Sequence, residues 1–151
     1  MKIVPGDFSD PRIVALLETH FGTMRSTAPP ESCHVLPIAE MQVPELTFWA
    51  AWDGEAPLGV GALKEIDAEH GEIKSMHTAE AGRRRGTGAA ILTHIISVAR
   101  ERGYSRLSLE TGAMAFFVPA RTLYEKHGFA YCEPFGDYQP DPNSVFMTLA
   151  L

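Results

Sequence analysis

A basic loop interrupted by glycines offers the clearest chemistry in this chain. The residues Arg83-Arg84-Arg85-Gly86-Thr87-Gly88-Ala89 lie between a strand-like segment and a long amphipathic segment. Glycine has no Cβ, so Gly86 and Gly88 let the backbone approach a ligand closely. The first N–H groups of the following helix lack partners within that helix, and its dipole favours an anion by roughly 0.3–1 kcal/mol. With three guanidinium groups nearby, the loop predicts a site for a phosphorylated ligand.

Two common phosphate-binding loops do not fit this segment. The dinucleotide fingerprint G-x-G-x-x-G needs a third glycine at the position where this chain has Ile91. The nucleoside-triphosphate loop needs Gly-Lys followed by Ser or Thr, whereas Gly86 is followed by Thr87 and Gly88. The pattern that does fit is R/Q-x-x-G-x-G/A, in which Arg83, Gly86 and Gly88 occupy the defined positions.

The composition narrows the class of protein. A chain of 151 residues and 16.5 kDa predicts one domain, residues 1–151, with its own hydrophobic core. The net charge of −6 argues against a nucleic-acid binder, and no apolar run is long enough for a membrane span. The two cysteines, Cys33 and Cys132, show neither a disulfide framework nor metal-ligand spacing. We therefore expect a cytoplasmic enzyme without a bound metal.

The hydrophobic pattern predicts an alternation of strands and helices. A first strand covers Lys2 to Val4, and a helix capped by Ser9 or Asp10 ends at Gly22. Residues 23–37 are expected to form a loop, followed by a short helix over Pro37 to Met41. Further strands are predicted at 46–52, 57–66, 72–78, 105–110, 129–133 and 145–151, with helices at 89–102 and 119–127. This order predicts an α/β fold in which an antiparallel meander leads into a parallel crossover around the long helix.

Two motifs carry a resemblance to a known family. The Arg83-x-x-Gly86-x-Gly88 segment resembles the acetyl-CoA loop of the GCN5-related N-acetyltransferase (GNAT) family, and residues 120–129 resemble its A-x-x-L-Y-x-x-x-G-F signature. The likeness covers essentially the whole chain and is nearest to small bacterial acetyltransferases, some of them labelled as indole-3-acetic-acid-linked. It implies the GNAT fold, a mixed sheet of six to seven strands with an antiparallel meander, a central parallel pair and helices on both faces.

The resemblance implies that acetyl-CoA is the acetyl donor. The main chain of Met76, His77 and Thr78 would bind the pantetheine arm as if it were an added strand. The pyrophosphate would lie on the amides from Arg84 to Ala89. Phe117 stands where the family often has an asparagine that contacts the coenzyme, so an apolar contact is expected there. The complete cofactor-binding prediction is Met76, His77, Thr78, Arg83, Arg84, Arg85, Gly86, Thr87, Gly88, Ala89 and Phe117.

Two residues are candidates for proton transfer. Glu72 lies eleven residues before Arg83, the offset of the general-base glutamate in histone-acetylating members that this chain resembles. Tyr124 matches the family's general acid for the departing thiolate. A base is needed because a protonated amine has no lone pair. In the alternative interpretations, Glu72 is a solvent-facing strand residue whose role is taken by water relays, and Tyr124 is an aromatic residue of the core. We expect direct transfer through a ternary complex.

The acceptor pocket is predicted in the variable segment 23–37. Its polar candidates are Arg25, Glu31, Ser32 and His34, with Tyr138 closing the other side. Arg25 is suited to a carboxylate and Glu31 to a cationic amine, although solvated loop residues are the plain alternative. The leading function is N-acetylation of a small-molecule amine. The alternatives are a protein lysine or N-terminal acetyltransferase and a non-catalytic acyl-CoA-binding module. The resemblance also makes a homodimer through the C-terminal strands an expectation.

Overall fold

The structure is a computed structural model that describes residues 1–151. Its strands and α-helices follow one another as β1 Lys2–Pro5, α1 Pro11–Thr27, α2 Ile38–Met41, β2 Leu46–Asp53, β3 Ala56–Asp67, β4 His70–Thr78, α3 Thr87–Glu101, β5 Arg106–Gly112, α4 Val118–Lys126, β6 Ala130–Cys132 and β7 Ser144–Ala150. Single turns of 3-10 helix occur at Pro30–Ser32, Glu80–Gly82 and Ala115–Phe117. The predicted α/β order is confirmed, and with the exception of the end of α1 the bounds differ from the prediction by at most two residues.

All seven strands form one sheet in the order β1-β2-β3-β4-β5-β7-β6. Every neighbouring pair is antiparallel except β4 and β5, which are parallel and are joined by the crossover through α3. This parallel pairing covers only His70–Glu72 against Arg106–Ser108. Beyond those residues β4 and β5 have no pairing with each other, so the sheet opens between them at its centre.

Helices cover both faces of the sheet, as expected. The larger apolar cluster joins α3 and α4 to one face, with Ile91 and Ile95 packed among residues such as Leu63 and Leu109. The smaller cluster joins α1 and α2 to the opposite face through Ile13, Leu17 and Met41. Full burial of such a side chain stabilises the fold by about 1.5–3 kcal/mol, so the two clusters hold the helices firmly beside the opening. No helix combines the length and the hydropathy that crossing a lipid bilayer would require.

The end of α1 corrects the sequence prediction. The helix was predicted to end at Gly22, but it continues to Thr27. A glycine inside a helix costs about 0.5–1 kcal/mol relative to alanine. This cost at a single residue is too small to end the helix. The helix ends where Ala28 becomes extended (φ −144°, ψ 159°), because a residue that precedes a proline, here Pro29, disfavours the helical region. Arg25 is therefore a helical residue and not part of a loop.

Close packing of α3 on β3 depends on a small residue. A Cβ at Gly61 would lie 2.6 Å from Ile91 Cγ2 and 2.7 Å from Met76 Sδ. The glycine therefore leaves room for α3 and for the β4 side chain that points to the same face. On β4 the register against β3 shifts opposite Gly61, and Ser75 has a positive φ of 55°. This irregularity is a β-bulge, and it lies at the edge of the central opening.

Candidate active site

A cleft of about 670 Å³ lies where β4 and β5 diverge. Its walls come from α1, the segment after α1, β4, the start of α3, β5 and α4. Nine of the residues predicted for the site line it, namely Ser32, His34, Met76, His77, Thr78, Arg83, Gly88, Phe117 and Tyr124. The fold thus brings together the glycine loop, the bulged strand and the signature helix, which are far apart in the sequence.

The start of α3 lies at one end of the cleft. Its N-cap residue, Gly86, has φ 75° and provides no side chain to cap the helix. Arg84 also has a positive φ of 62°, a conformation that is uncommon for residues other than glycine. The first amides of α3 therefore have no capping side chain, and Gly88 lies close to Thr78 of β4. A phosphate group is the kind of ligand that such a helix start binds.

The three arginines of the loop have different environments. Arg83 lines the cleft, whereas Arg85 forms an exposed ion pair with Asp53 at 2.8 Å between Nη2 and Oδ2. Arg84 is exposed outside the cleft lining, as is Gly86, and Ala89 is half-buried. Thr87 is almost completely buried, and its Oγ1 donates a hydrogen bond to the Gly82 carbonyl at 2.8 Å. This hydrogen bond fixes the conformation of the loop from its buried side.

Tyr124 and Glu110 both line the cleft. Tyr124 is 6% exposed, and its pKa is raised well above the ordinary value by burial and by the nearby Glu110 carboxylate. The pKa of Glu110 is also raised by burial, although Ser144, His34 and Lys74 act in the opposite direction. The Ser144 hydroxyl lies near this carboxylate but is buried without a regular hydrogen bond. Tyr124 is therefore a protonated group beside a carboxylate of raised basicity.

Sequence reasoning missed Glu110. One available signal was its place at the carboxyl end of β5, because ligands of open α/β sheets bind beyond the carboxyl ends of parallel strands. A second signal was the alternation of Leu107 and Leu109, which are buried in the core, with Ser108 and Glu110 on the other face. The sequence analysis predicted a catalytic base only on β4, the strand before the glycine loop, and none on β5, the strand after the crossover.

Glu72 belongs to a buried network beside the cleft. It is 5% exposed, and its Oε2 accepts a hydrogen bond from the Tyr138 hydroxyl at 2.6 Å. Lys74 Nζ lies 3.5 Å from the same oxygen and donates to Tyr138 Oη at 2.9 Å and to the His34 carbonyl at 3.1 Å. Burial and the Glu72 carboxylate raise the pKa of Tyr138. Glu72 borders a second cavity of about 490 Å³ and does not line the cleft.

The residues predicted for the acceptor are distributed over different places. Arg25 lines neither cavity, and its guanidinium lies 5.5 Å from the ring of Phe21. Glu31 and Tyr138 border only the second cavity, whereas His34 borders both. Ser32 lines the cleft, donates to Asp141 Oδ2 at 2.6 Å and so ties the segment after α1 to the loop between β6 and β7.

One face of α1 also lines the cleft, which the sequence prediction did not include. Thr19, Thr23 and Thr27 recur every four residues on this face, and His20 lies beside them. His20 is 7% exposed, its Nδ1 has no hydrogen-bond partner, and its ring centroid is 5.0 Å from that of His77. Burial, and secondarily His77, lowers the pKa of His20 to about 4. The imidazole is therefore neutral at physiological pH.

The open parallel pair, the uncapped helix start and the buried tyrosine define an acyl-CoA-dependent transferase. The family model for the acetyltransferase (GNAT) family matches residues 13–129, and the chain belongs to this family. It is an acetyl-CoA-dependent acetyltransferase.

Two relatives support this assignment, and one solved structure shows the same fold. The uncharacterized N-acetyltransferase YsnE of Bacillus subtilis is 53% identical over 100% of both chains. The IAA acetyltransferase of Azospirillum brasilense is 36% identical over 89% of this chain and 88% of its own length. A GNAT acetyltransferase from Elizabethkingia anophelis, solved with acetyl-CoA bound, shares the fold with a TM-score of 0.72 at 20% identity, covering 99% of this chain and 97% of that one.

Proposed function

We propose that the protein transfers the acetyl group of acetyl-CoA directly to the amine of a small molecule, in a ternary complex. The observation that carries this proposal is that Glu110 and Tyr124 line the same cleft as Arg83 and Gly88 of the glycine loop, with the Glu110 charge acting on the pKa of Tyr124. Cavities of roughly 300–1,000 Å³ are typical of small-molecule sites, and this one lies within that range. In this proposal residues 1–151 act as one N-acyltransferase domain in the bacterial cytoplasm.

The donor would lie across the central opening. We place its pyrophosphate at the uncapped start of α3, with Arg83 beside it. Its pantetheine arm would pair with Met76, His77 and Thr78, because on the β5 side the main chain of these residues has no strand partner. Phe117 packs over Gly112 on the opposite wall and would supply an apolar contact to the arm.

Glu110 is the proposed proton acceptor for the amine. A primary amine is mostly protonated at neutral pH and must lose a proton before its nitrogen can bond to the acetyl carbonyl carbon. A carboxylate whose pKa is raised by burial accepts that proton more readily than a solvated one. The role predicted for Glu72 stays a prediction. From its position its carboxylate would reach the amine only through Tyr138 or water.

Tyr124 is the proposed proton donor to the leaving group. Its raised pKa keeps the hydroxyl protonated at neutral pH, so a proton is available when the carbon–sulfur bond breaks. The proton passes to the thiolate sulfur, and the new carbon–nitrogen bond remains in the acetylated product. Glu110 takes the first amine proton. The second, which the nitrogen loses as the amide forms, would return to the Tyr124 phenolate through water, and Glu110 then releases its proton to solvent, so both side chains are restored.

A thiol-release assay with a panel of small amines tests this proposal. We expect Glu110→Gln to lower kcat/KM by roughly 10²-fold or more, the usual contribution of a general base, with unchanged acetyl-CoA binding in calorimetry. Glu18→Gln is the matched control, since Glu18 is exposed on α1 and lines neither cavity. Full activity of Glu110→Gln would remove Glu110 from the mechanism.

The donor site needs its own control. A Gly86→Glu, Gly88→Glu double variant should lose acetyl-CoA binding, because it places two negative charges where the phosphates lie. Intact acetyl-CoA binding without thiol release from any small amine would contradict a small-molecule acceptor. A peptide array would then identify a protein lysine or an N-terminus as the acceptor instead.

A further inference from the structure

The acceptor end of the cleft has no free cation. Lys74 and Arg83 are the two lysine or arginine residues that line the cleft, and Arg83 belongs to the phosphate end. The Lys74 side chain is only 11% exposed. Its ammonium forms an ion pair with Glu72 and donates hydrogen bonds to the Tyr138 hydroxyl and the His34 carbonyl. Arg25, the residue suited to a carboxylate, lies on α1 outside both cavities. An anionic group on the acceptor would therefore find no counter-ion.

The same end presents hydrogen-bond acceptors. The hydroxyls of Thr19 and Thr27 donate their protons to the Ala15 and Met24 carbonyls at 3.0 and 2.9 Å, so toward the cleft they offer oxygen lone pairs. Thr19 and Thr27 are eight residues apart, which corresponds to about 12 Å along a helix, so these two acceptor oxygens lie about two turns apart on the same wall. Glu110 adds a carboxylate, and no hydrogen-bond partner occupies the buried Nδ1 of His20.

We infer that the acceptor is a cationic amine without a carboxylate that carries a second amine group, that is, a short diamine. This inference rests on the proposed acetyl transfer and specifies its substrate class. One amine would lie at Glu110 and lose its proton there, and the other would donate to the threonine oxygens of α1. An α-amino acid would bring a carboxylate against Glu110 and the same oxygens, with no cation to compensate it.

Putrescine, ornithine and butylamine form a matched set for the test. Ornithine is putrescine with one added carboxylate, and butylamine is putrescine without its second amine. We expect kcat/KM for putrescine to exceed that for ornithine by about tenfold or more. The ornithine carboxylate would lie near the Glu110 carboxylate without a counter-ion, and one such like-charge contact weakens binding by at least that factor. Butylamine should show a raised KM with a similar kcat. Equal or better turnover of ornithine would overturn the inference.

A variant of α1 tests the second amine separately. Thr27→Val removes a hydroxyl oxygen that would accept a hydrogen bond from the second amine, with little change in side-chain shape. It should therefore raise KM for putrescine and leave KM for butylamine the same. Glu18→Gln should leave both values unchanged. An equal rise for the two amines would contradict a contact between the threonine face and the second amine.

Binding measurements separate this inference from the proposed function. Calorimetry with the protein saturated with coenzyme A reports acceptor binding without turnover. Heat of binding for putrescine and none for ornithine, without thiol release, would support the substrate class although the proposed transfer had failed. Binding of ornithine in preference to putrescine, or of neither compound, would overturn the inference even if another amine were acetylated.

Discussion

Replacing Glu72 by glutamine should destabilise the fold by about 3 kcal/mol, because it leaves the Lys74 ammonium buried without its carboxylate. The two side chains are 7% and 11% exposed, and breaking such a pair by removing one partner typically costs about 3–5 kcal/mol. The lower value applies because a glutamine oxygen still accepts the hydrogen bond from Tyr138. For a chain of this length each kcal/mol lowers Tm by roughly 2–4 °C, so Tm should fall by about 6–12 °C.

A second substitution distinguishes a structural role of Glu72 from a catalytic one. Lys74→Met alone should also be destabilising, since it leaves the Glu72 carboxylate buried without its cation. Glu72→Gln with Lys74→Met removes both charges, and the double variant should be more stable than either single variant. Urea denaturation of all four proteins gives the free energies, and thiol release below the lowest Tm gives the kinetics.

The outcomes separate the two roles clearly. If Glu72 acts only as a buried counter-ion, the double variant recovers kcat together with stability. If Glu72 is the general base, stability recovers and kcat stays roughly 10²-fold low. A Glu72→Gln variant as stable as the wild type would refute the reasoning from buried charge.

Three further predictions concern other parts of the fold. Because the pKa of His20 falls from 6.5 to about 4, the unfolded chain binds a proton between these pH values that the folded chain does not, and stability is lost as the pH falls. His20→Phe should remove about 3 kcal/mol of the difference in unfolding free energy between pH 7 and pH 4, as measured in urea. Thr87→Val should cost about 1–3 kcal/mol and weaken acetyl-CoA binding in calorimetry, whereas Thr87→Ser should retain both properties. Gly82→Ala should lower Tm sharply because its Cβ would overlap the Leu58 carbonyl oxygen, whereas Gly22→Ala meets no atom within 4 Å and should raise Tm slightly.

Much of the fold could be predicted because local rules decide it. The hydrophobic pattern predicted α3 to within two residues at each end, and the order of the predicted elements gave the antiparallel meander that leads into it. The end of α1 was wrong because Gly22 is a weak signal, and the stronger one was the restriction that Pro29 places on Ala28. Sequence patterns also predicted a donor site at the glycine loop, because the loop and the start of α3 are contiguous in the chain.

The acceptor site could not be predicted in the same way, because its contacts join distant segments. Glu72 meets Tyr138 across 66 positions, and Ser32 meets Asp141 across 109. The alternation in β5 indicates the face on which Glu110 lies, but no local pattern reports that Glu72 lies beneath a tyrosine of a distant segment. Both residues have the same chemistry and lie on adjacent strands, so only the folded geometry distinguishes them.

The short parallel pairing of β4 and β5 makes the stability of this enzyme depend on its donor. Only three residues of each strand join the two parts of the sheet directly, so local opening should begin at this junction. A ligand that fills the opening stabilises the folded state by about 2.7 kcal/mol when its free concentration is roughly 100 times its Kd. If acetyl-CoA fills the opening as proposed, a fall in its concentration would leave this seam open to proteases in more of the protein. The supply of the donor would then set the lifetime of the enzyme as well as its rate.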